Sequence, residues 1–181
     1  MSRSESLWLL IDGYNVIAPT APPRYPTPDW LRRERKSLLD RLAEHLDEET
    51  CRRCCVVFDA ADPPPGRESR IIHHGIDVRF AVDFPEADDL VEAIIAAHSA
   101  PKTLTVISGD RRLQEAARRR NCNHEESQTW FDDVLDGKIR LSPHLKRGRT
   151  SVNGGQGRAP SKPEAGLPND EVQDWLDEFG I

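Results

Sequence analysis

The sequence predicts an α/β fold with a doubly wound, mainly parallel sheet flanked by helices, and three observations carry that reading. Leu7-Trp8-Leu9-Leu10-Ile11 is an unbroken apolar run ending in Asp12-Gly13, the pattern of a strand buried on both faces and stopped by a tight turn. Cys54-Cys55-Val56-Val57-Phe58 ends in the same way at Asp59, and Leu104-Thr105-Val106-Ile107 ends at Ser108-Gly109-Asp110. Amphipathic helical stretches separate these runs, and strands alternating with helices imply βαβ crossovers. In such a sheet the residues following the strands gather on one edge, where open α/β proteins bind ligands.

The bulk properties bound the answer. A chain of 181 residues holds one domain with a real core and is short for two. Charged residues make up 31%, no apolar run approaches the roughly 20 residues of a membrane span, and Met1 to Glu5 lacks a signal peptide's pattern, so a cytoplasmic protein without membrane contact is expected. Cys51, Cys54, Cys55 and Cys122 are then reduced thiols. A zinc site combining Cys51, Cys54 or Cys55 with His73, His74 or His124 lacks a second Cys-x-x-Cys or a His-x3-His to support it. Charge is distributed unevenly. Met1 to Asp136 carries 18 basic and 25 acidic residues, Gly137 to Pro163 seven basic and no acidic ones, and Glu164 to Ile181 six acidic and no basic ones.

Taken in order, the elements follow from local chemistry. Pro19 to Pro28 has five prolines in ten residues and excludes regular structure. Asp29 opens a helix reaching His45 or Leu46, with Leu31, Leu38, Leu39, Leu42 and Leu46 as its apolar stripe and Arg32, Arg33, Arg35, Lys36 and Arg41 mostly off it. The strand at 54–58 runs into a Pro-rich loop, after which Arg67 and Arg70 are candidate substrate contacts. Ile76 to Val82 alternates as a third strand, with Ile76, Val78 and Phe80 set against Asp77 and Arg79. Pro85-Glu86-Ala87-Asp88-Asp89 begins a helix, its proline and acids suiting a first turn. A fourth strand at 103–107 precedes a helix from Asp110 to Arg120. A short fifth strand near 121–126 precedes a last helix near 127–136.

The end of the chain differs. Gly137 to Pro163, rich in Gly, Ser, Pro, Lys and Arg, is expected to be disordered. Beyond it Val172, Trp175, Leu176 and Phe179 fall at i, i+3, i+4 and i+7 of a short helix capped by Asn169 or Asp170. That stripe either docks a protein partner or packs back on the body.

The chemistry lies with the acids. Carboxylates gathered within a few ångströms raise one another's pKa values unless a cation neutralises them. Oxygen-only ligands suit Mg2+ or Mn2+, which bind phosphate oxygens alongside the protein, polarise a phosphodiester and activate water. Asp12 and Asp110 each follow an apolar strand at a Gly-containing turn, where either alone would be explained as a turn aspartate. Asp88 reaches across the same edge from its helix, with Glu92 four residues on, whereas Glu86 and Asp89 compensate the helix dipole. Asn15 is placed to hold a metal water or phosphate or to form a local turn. Ser108 offers a hydroxyl at the same rim or caps the helix that Asp110 begins. Asp59 is the weakest of the strand-end acids.

Ile-Asp-Gly-Tyr-Asn (11–15), Val-Phe-Asp-Ala (57–60), Glu-Ala-Asp-Asp (86–89) and Ser-Gly-Asp (108–110) resemble, in order and spacing, the motifs of the NYN domain family, with its YacP-type branch of PIN-like ribonucleases the nearest match. The resemblance covers about residues 7–136. It implies a PIN-like sheet, Mg2+ or Mn2+ as cofactor, and cleavage of single-stranded RNA. By position, Asp12, Asp88 and Asp110 match metal-binding acids, Asn15 the polar partner of the first motif, and Asp59 the acid ending the second strand. Two residues depart from the pattern: Pro85 stands where the branch usually has a glutamate, and Arg112 where many relatives have a further acid.

The resulting expectation is a nuclease domain over 1–136, a basic linker over 137–168 and an acidic amphipathic tail over 169–181. The activity expected is metal-dependent endoribonuclease cleavage of single-stranded RNA by a metal-activated water, in RNA decay or processing. Asp12, Asp88, Asp110 and Asn15 are its catalytic residues, with Asp59 a further metal ligand. Ser108, Arg67, Arg70 and Arg111 meet the substrate, which is free or ribosome-associated. Val172, Trp175, Leu176 and Phe179 meet an unidentified protein. The rival is a non-catalytic RNA- or ribosome-binding adaptor of the same fold. A receiver domain phosphorylated at Asp59 fits poorly, because the first strand is followed by one acid and not two.

Overall fold

The computed structural model describes residues 6–17, 30–60, 69–139 and 141–145. Their frame is a six-stranded sheet. Its strands are β1 (Leu9–Asp12), β2 (Cys54–Phe58), β3 (Arg70–His73), β4 (Ile76–Phe80), β5 (Thr105–Ile107) and β6 (Asn123–Glu125). They lie in the order β3-β4-β2-β1-β5-β6. All neighbours are parallel except β3 and β4. The mainly parallel sheet flanked by helices that the sequence predicts is present.

Burial on both faces explains the continuous apolar runs. Leu9 and Ile11 of β1 join one cluster, with Leu38, Leu39 and Leu42 of α2 (Trp30–His45) and Trp130 and Val134 of α6 (Ser127–Leu135). Leu10 points the other way, into a cluster with Leu90, Val91 and Ile95 of α4 (Ala87–Ala97) and Leu113, Ala116 and Ala117 of α5 (Arg111–Arg119). The result is three layers, with β1 at the centre. Among the described residues, no helix is long and apolar enough to cross a membrane.

The structure departs from the sequence expectation in particular places. Two five-residue helices, α1 (Gly13–Ile17) and α3 (Glu48–Arg52), went unanticipated; Asp47 caps α3 by accepting from the Thr50 amide at 2.8 Å. The third expected strand stops at Phe80 rather than Val82, and it pairs antiparallel with β3, a strand the sequence pattern does not predict. The hairpin turn is His74-Gly75, with φ of +47° and +87°, the left-handed pair that suits the twist of a two-residue connection. Asp77, placed by its alternation on a polar face, is buried and held by Arg70 Nε at 2.6 Å and Arg79 Nη2 at 2.9 Å. Arg35, expected off the apolar stripe, is also buried, donating to the Tyr14 hydroxyl at 2.9 Å. All four cysteines are buried free thiols, and burial pushes Cys55 up to about 12.

The chain leaving α6 remains attached to the body where a linker was expected from residue 137. Ile139 and Leu141 pack on the first cluster, and buried Ser142 donates to the Lys102 carbonyl at 2.6 Å. The proline segment 19–28 and the Val172, Trp175, Leu176 and Phe179 stripe lie outside the described residues.

Gly13 starts α1 against the ring of Phe58, and a Cβ there would collide with three ring atoms. Phe58 is fully buried between Tyr14 and Phe80, so it has nowhere to go. Gly13→Ala should therefore cost about 1–3 kcal/mol from overpacking, outweighing the gain of up to about 1 kcal/mol in helix propensity. A urea midpoint at or above wild type would contradict this packing; Phe58→Leu in the same chain should return part of the loss.

Candidate functional site

The site grows from the carboxyl ends of β1 and β5, which are adjacent and parallel. Asp12 ends β1 and is only 7% exposed. Its Oδ2 accepts from the Ser108 hydroxyl at 3.1 Å and its Oδ1 from the Asn15 amide at 3.3 Å. The same Ser108 Oγ accepts from the Asp110 amide at 3.0 Å. Asp110 caps α5 by accepting from the Arg112 amide at 2.6 Å, as an aspartate before a helix should. One hydroxyl thus fixes the two acids relative to each other.

A second set of bonds locks the surrounding turns. Asn15 Oδ1 accepts from the Gly109 amide at 2.8 Å and from the Ser127 hydroxyl at 2.7 Å. Gln128 Nε2 donates to the carbonyls of Asn15 and Val16 at 3.1 and 3.0 Å. A Cβ on Gly109 would sit 2.8 Å from Asn15 Oδ1, so a side chain there would push the Asn15 amide off its two hydrogen bonds.

Electrostatics single out three acids. Burial raises the pKa of Asp12, opposed by its hydrogen bonds from Asn15 and Ser108, and the Asp110 charge raises it further. Asp88, in the first turn of α4, is pushed up to about 6, by burial first and then by the charges of Asp12 and Asp110. Arg112 opposes that rise without bonding to Asp88. Its guanidinium bonds instead to Glu92 and Asp89, which raise its own pKa, and pairs with Glu86 at 3.6 Å. The arginine that departs from the family pattern therefore staples α4 to α5 and takes up the neighbouring acids.

The donor set fits a hard divalent cation. It is all oxygen, it carries excess negative charge, and Asp12 and Asp110 are oriented before any ion arrives. Among the described residues, however, these three acids do not bring one oxygen each within 4.8 Å of one another; Asp40, His73 and His74 do. Asp12, Asp88 and Asp110 are the residues that would hold an ion at this edge, and side-chain rotation would have to bring their oxygens together around it.

Other expected residues are placed differently. Asp59 accepts from the Ala60 amide at 3.0 Å and is not among the charges acting on Asp12 or Asp88. Ser108 is fully buried, so it orients carboxylates rather than meeting solvent. Arg70 lies on the outer strand β3 paired with Asp77, three strands from β1. It lines an opening of about 720 Å³ with Asp77, Arg79, Ile94 and His98, and none of the three acids borders that opening. Arg111 is exposed at the start of α5, beside Asp110. Arg67 lies outside the described residues. Ser127 and Gln128 were overlooked in the sequence. Their signal was available, since β6 is a further parallel strand whose end meets the same edge.

A comparison with curated proteins returned no match. Among solved structures, Rae1 (YacP) from Bacillus subtilis superposes with a TM-score of 0.54 at 24% identity, covering 78% of each chain. A tryptophan-to-leucine variant of that protein gives 0.52 at 22%, covering 77% of this chain and 79% of the other. Both likenesses concern the fold. The family described as YacP-like NYN domain matches residues 9–160, which contain every element of the sheet and all three acids, and the chain belongs to that family.

Proposed function

We propose that the chain is a metal-dependent endoribonuclease acting on single-stranded RNA, with Asp12, Asp88 and Asp110 holding Mg2+ or Mn2+. The observation that carries this reading is the mutual field of Asp12, Asp88 and Asp110 at one sheet edge: among the described residues no basic side chain is bonded to them, and Arg112, which tempers Asp88, is bound to Asp89 and Glu92 instead. Such an arrangement destabilises the fold unless a cation is part of it. Family membership supports a nuclease-type, RNA-related fold.

When bound, a divalent ion at these oxygens polarises a phosphodiester and lowers the pKa of water. The protein's own residues do the rest. Ser108 holds Asp12 and Asp110 in register, and Asn15 acts as a positioning residue by fixing the Gly109 turn to α6. Arg111 contacts a phosphate oxygen of the strand. The seven basic residues of 137–163 add salt-sensitive affinity for RNA, whether free or ribosome-associated. The adaptor reading draws on Arg112, which removes Glu86, Asp89 and Glu92 from the pool of ligands.

Full-length protein, Mn2+ and labelled single-stranded RNA separate the two readings. Asp12→Asn and Asp110→Asn should each lower cleavage at least about 100-fold while RNA binding and the far-ultraviolet CD spectrum are retained. RNA that is shifted but never cut by the wild type supports the adaptor instead.

The raised pKa of Asp88 also fixes a sign. Its folded value, about 6, lies above the ordinary 3.8, so the folded state disfavours the charged form. The penalty is absent below pH 3.8 and complete above about 6. In chelator, the stability of wild type relative to Asp88→Asn should fall as pH rises through that window, and Mn2+ should restore it at pH 7. Parallel urea midpoints for the two proteins across the window would refute the shared field.

A further inference from the structure

We propose a second cation site, for a borderline transition metal of the Zn2+ class, formed by Asp40 of α2 with His73 and His74 of the β3–β4 hairpin. One donor atom from each lies within 4.8 Å of the other two. His73 Nε2 stands 2.8 Å from Asp40 Oδ1, and the two imidazoles meet edge to face with ring centres 4.6 Å apart. Lys36 holds the other carboxylate oxygen, Oδ2, at 2.7 Å, which leaves Oδ1 directed at the histidines. Lys36 is itself 42% exposed, so an incoming charge does not trap it.

The residue types fit that metal class. Two imidazoles and a carboxylate favour Zn2+, Cu2+ or Ni2+ over Mg2+, and three protein ligands leave a fourth position for water. Ligands of a tetrahedral zinc sit roughly 3.3 Å apart, so donor atoms now within 4.8 Å of one another draw closer as the ion binds. A neutral imidazole is the binding form, and burial keeps His73, whose side chain is 11% exposed, below the ordinary histidine pKa. On binding, the ion takes the place of the proton shared between Nε2 and Oδ1.

The turn supplies an independent reason. Its first position has φ of +47°, where asparagine or aspartate is the usual choice before glycine. Histidine there puts a second imidazole beside His73.

This site is separate from the sheet-edge acids. Asp77 is in register with Cys55, and Cys55 with Leu10, so the 74–75 turn lies at the amino ends of the parallel strands and Asp12 at the carboxyl ends. An ion at Asp40 would join α2 to the outer hairpin and would not touch the scissile phosphate.

The test uses full-length, chelator-treated protein in an Asp12→Asn/Asp110→Asn background, titrated with Zn2+ against a chromogenic chelator. One equivalent should bind, and the urea midpoint should rise with it. His74→Asn suits the turn while removing one ligand, so it should weaken Zn2+ at least about tenfold without lowering the zinc-free midpoint. Asp40→Asn should weaken it likewise. Unchanged affinity in both variants, or no uptake by the parent protein, overturns the proposal.

Discussion

The Ser108 hydroxyl between Asp12 and Asp110 is the contact on which the site's geometry depends. It bonds to a carboxylate at the end of one strand and to the amide of the acid following the next, so two like charges are held near each other by a neutral group. Because Ser108 is fully buried, water does not compete for either bond. The pairing of β1 with β5 brings these residues together, and that pairing rests on a central strand with apolar neighbours on both faces.

Charge is partitioned rather than spread over the carboxyl edge. Arg112 collects Glu86, Asp89 and Glu92, and in doing so ties the first turn of α5 to α4. Asp88 sits in the same first turn, yet burial and then the charges of Asp12 and Asp110 raise its pKa, and Arg112 only tempers the rise. At the far end of the strands Asp40, His73 and His74 form a donor set of different chemistry, two nitrogens with an oxygen. Hard and borderline cations would thus find different ends of one sheet.

Much of the architecture was legible in the sequence. The apolar runs at 7–11, 54–58 and 104–107 marked the central strands, because burial on both faces removes the polar alternation of a half-exposed strand. The positions of Asp12, Asp59 and Asp110 followed from the rule that strand ends share an edge. Less was legible at the margins. The hairpin of β3 and β4 escaped because Arg70-Ile71-Ile72-His73 is short and half exposed; Ile72 is 61% exposed. Asp77 looked solvent-facing because alternation reports which side of a strand a residue takes, not what covers that side.

The sequence by itself determined the fold class, the family motifs and the residue types of the acidic edge, since each is written in local pattern. Only the tertiary structure decided which acids share a field. Asp59 and Asp110 end strands in the same way, yet Asp110 acts on Asp12 and Asp88 while Asp59 bonds to its own neighbour's amide. Ser108 became a buried bridge and Arg112 a staple for the same reason. Coulombic coupling and hydrogen-bond geometry depend on distances through space, and residues 96 apart in sequence meet only when β1 and β5 pair.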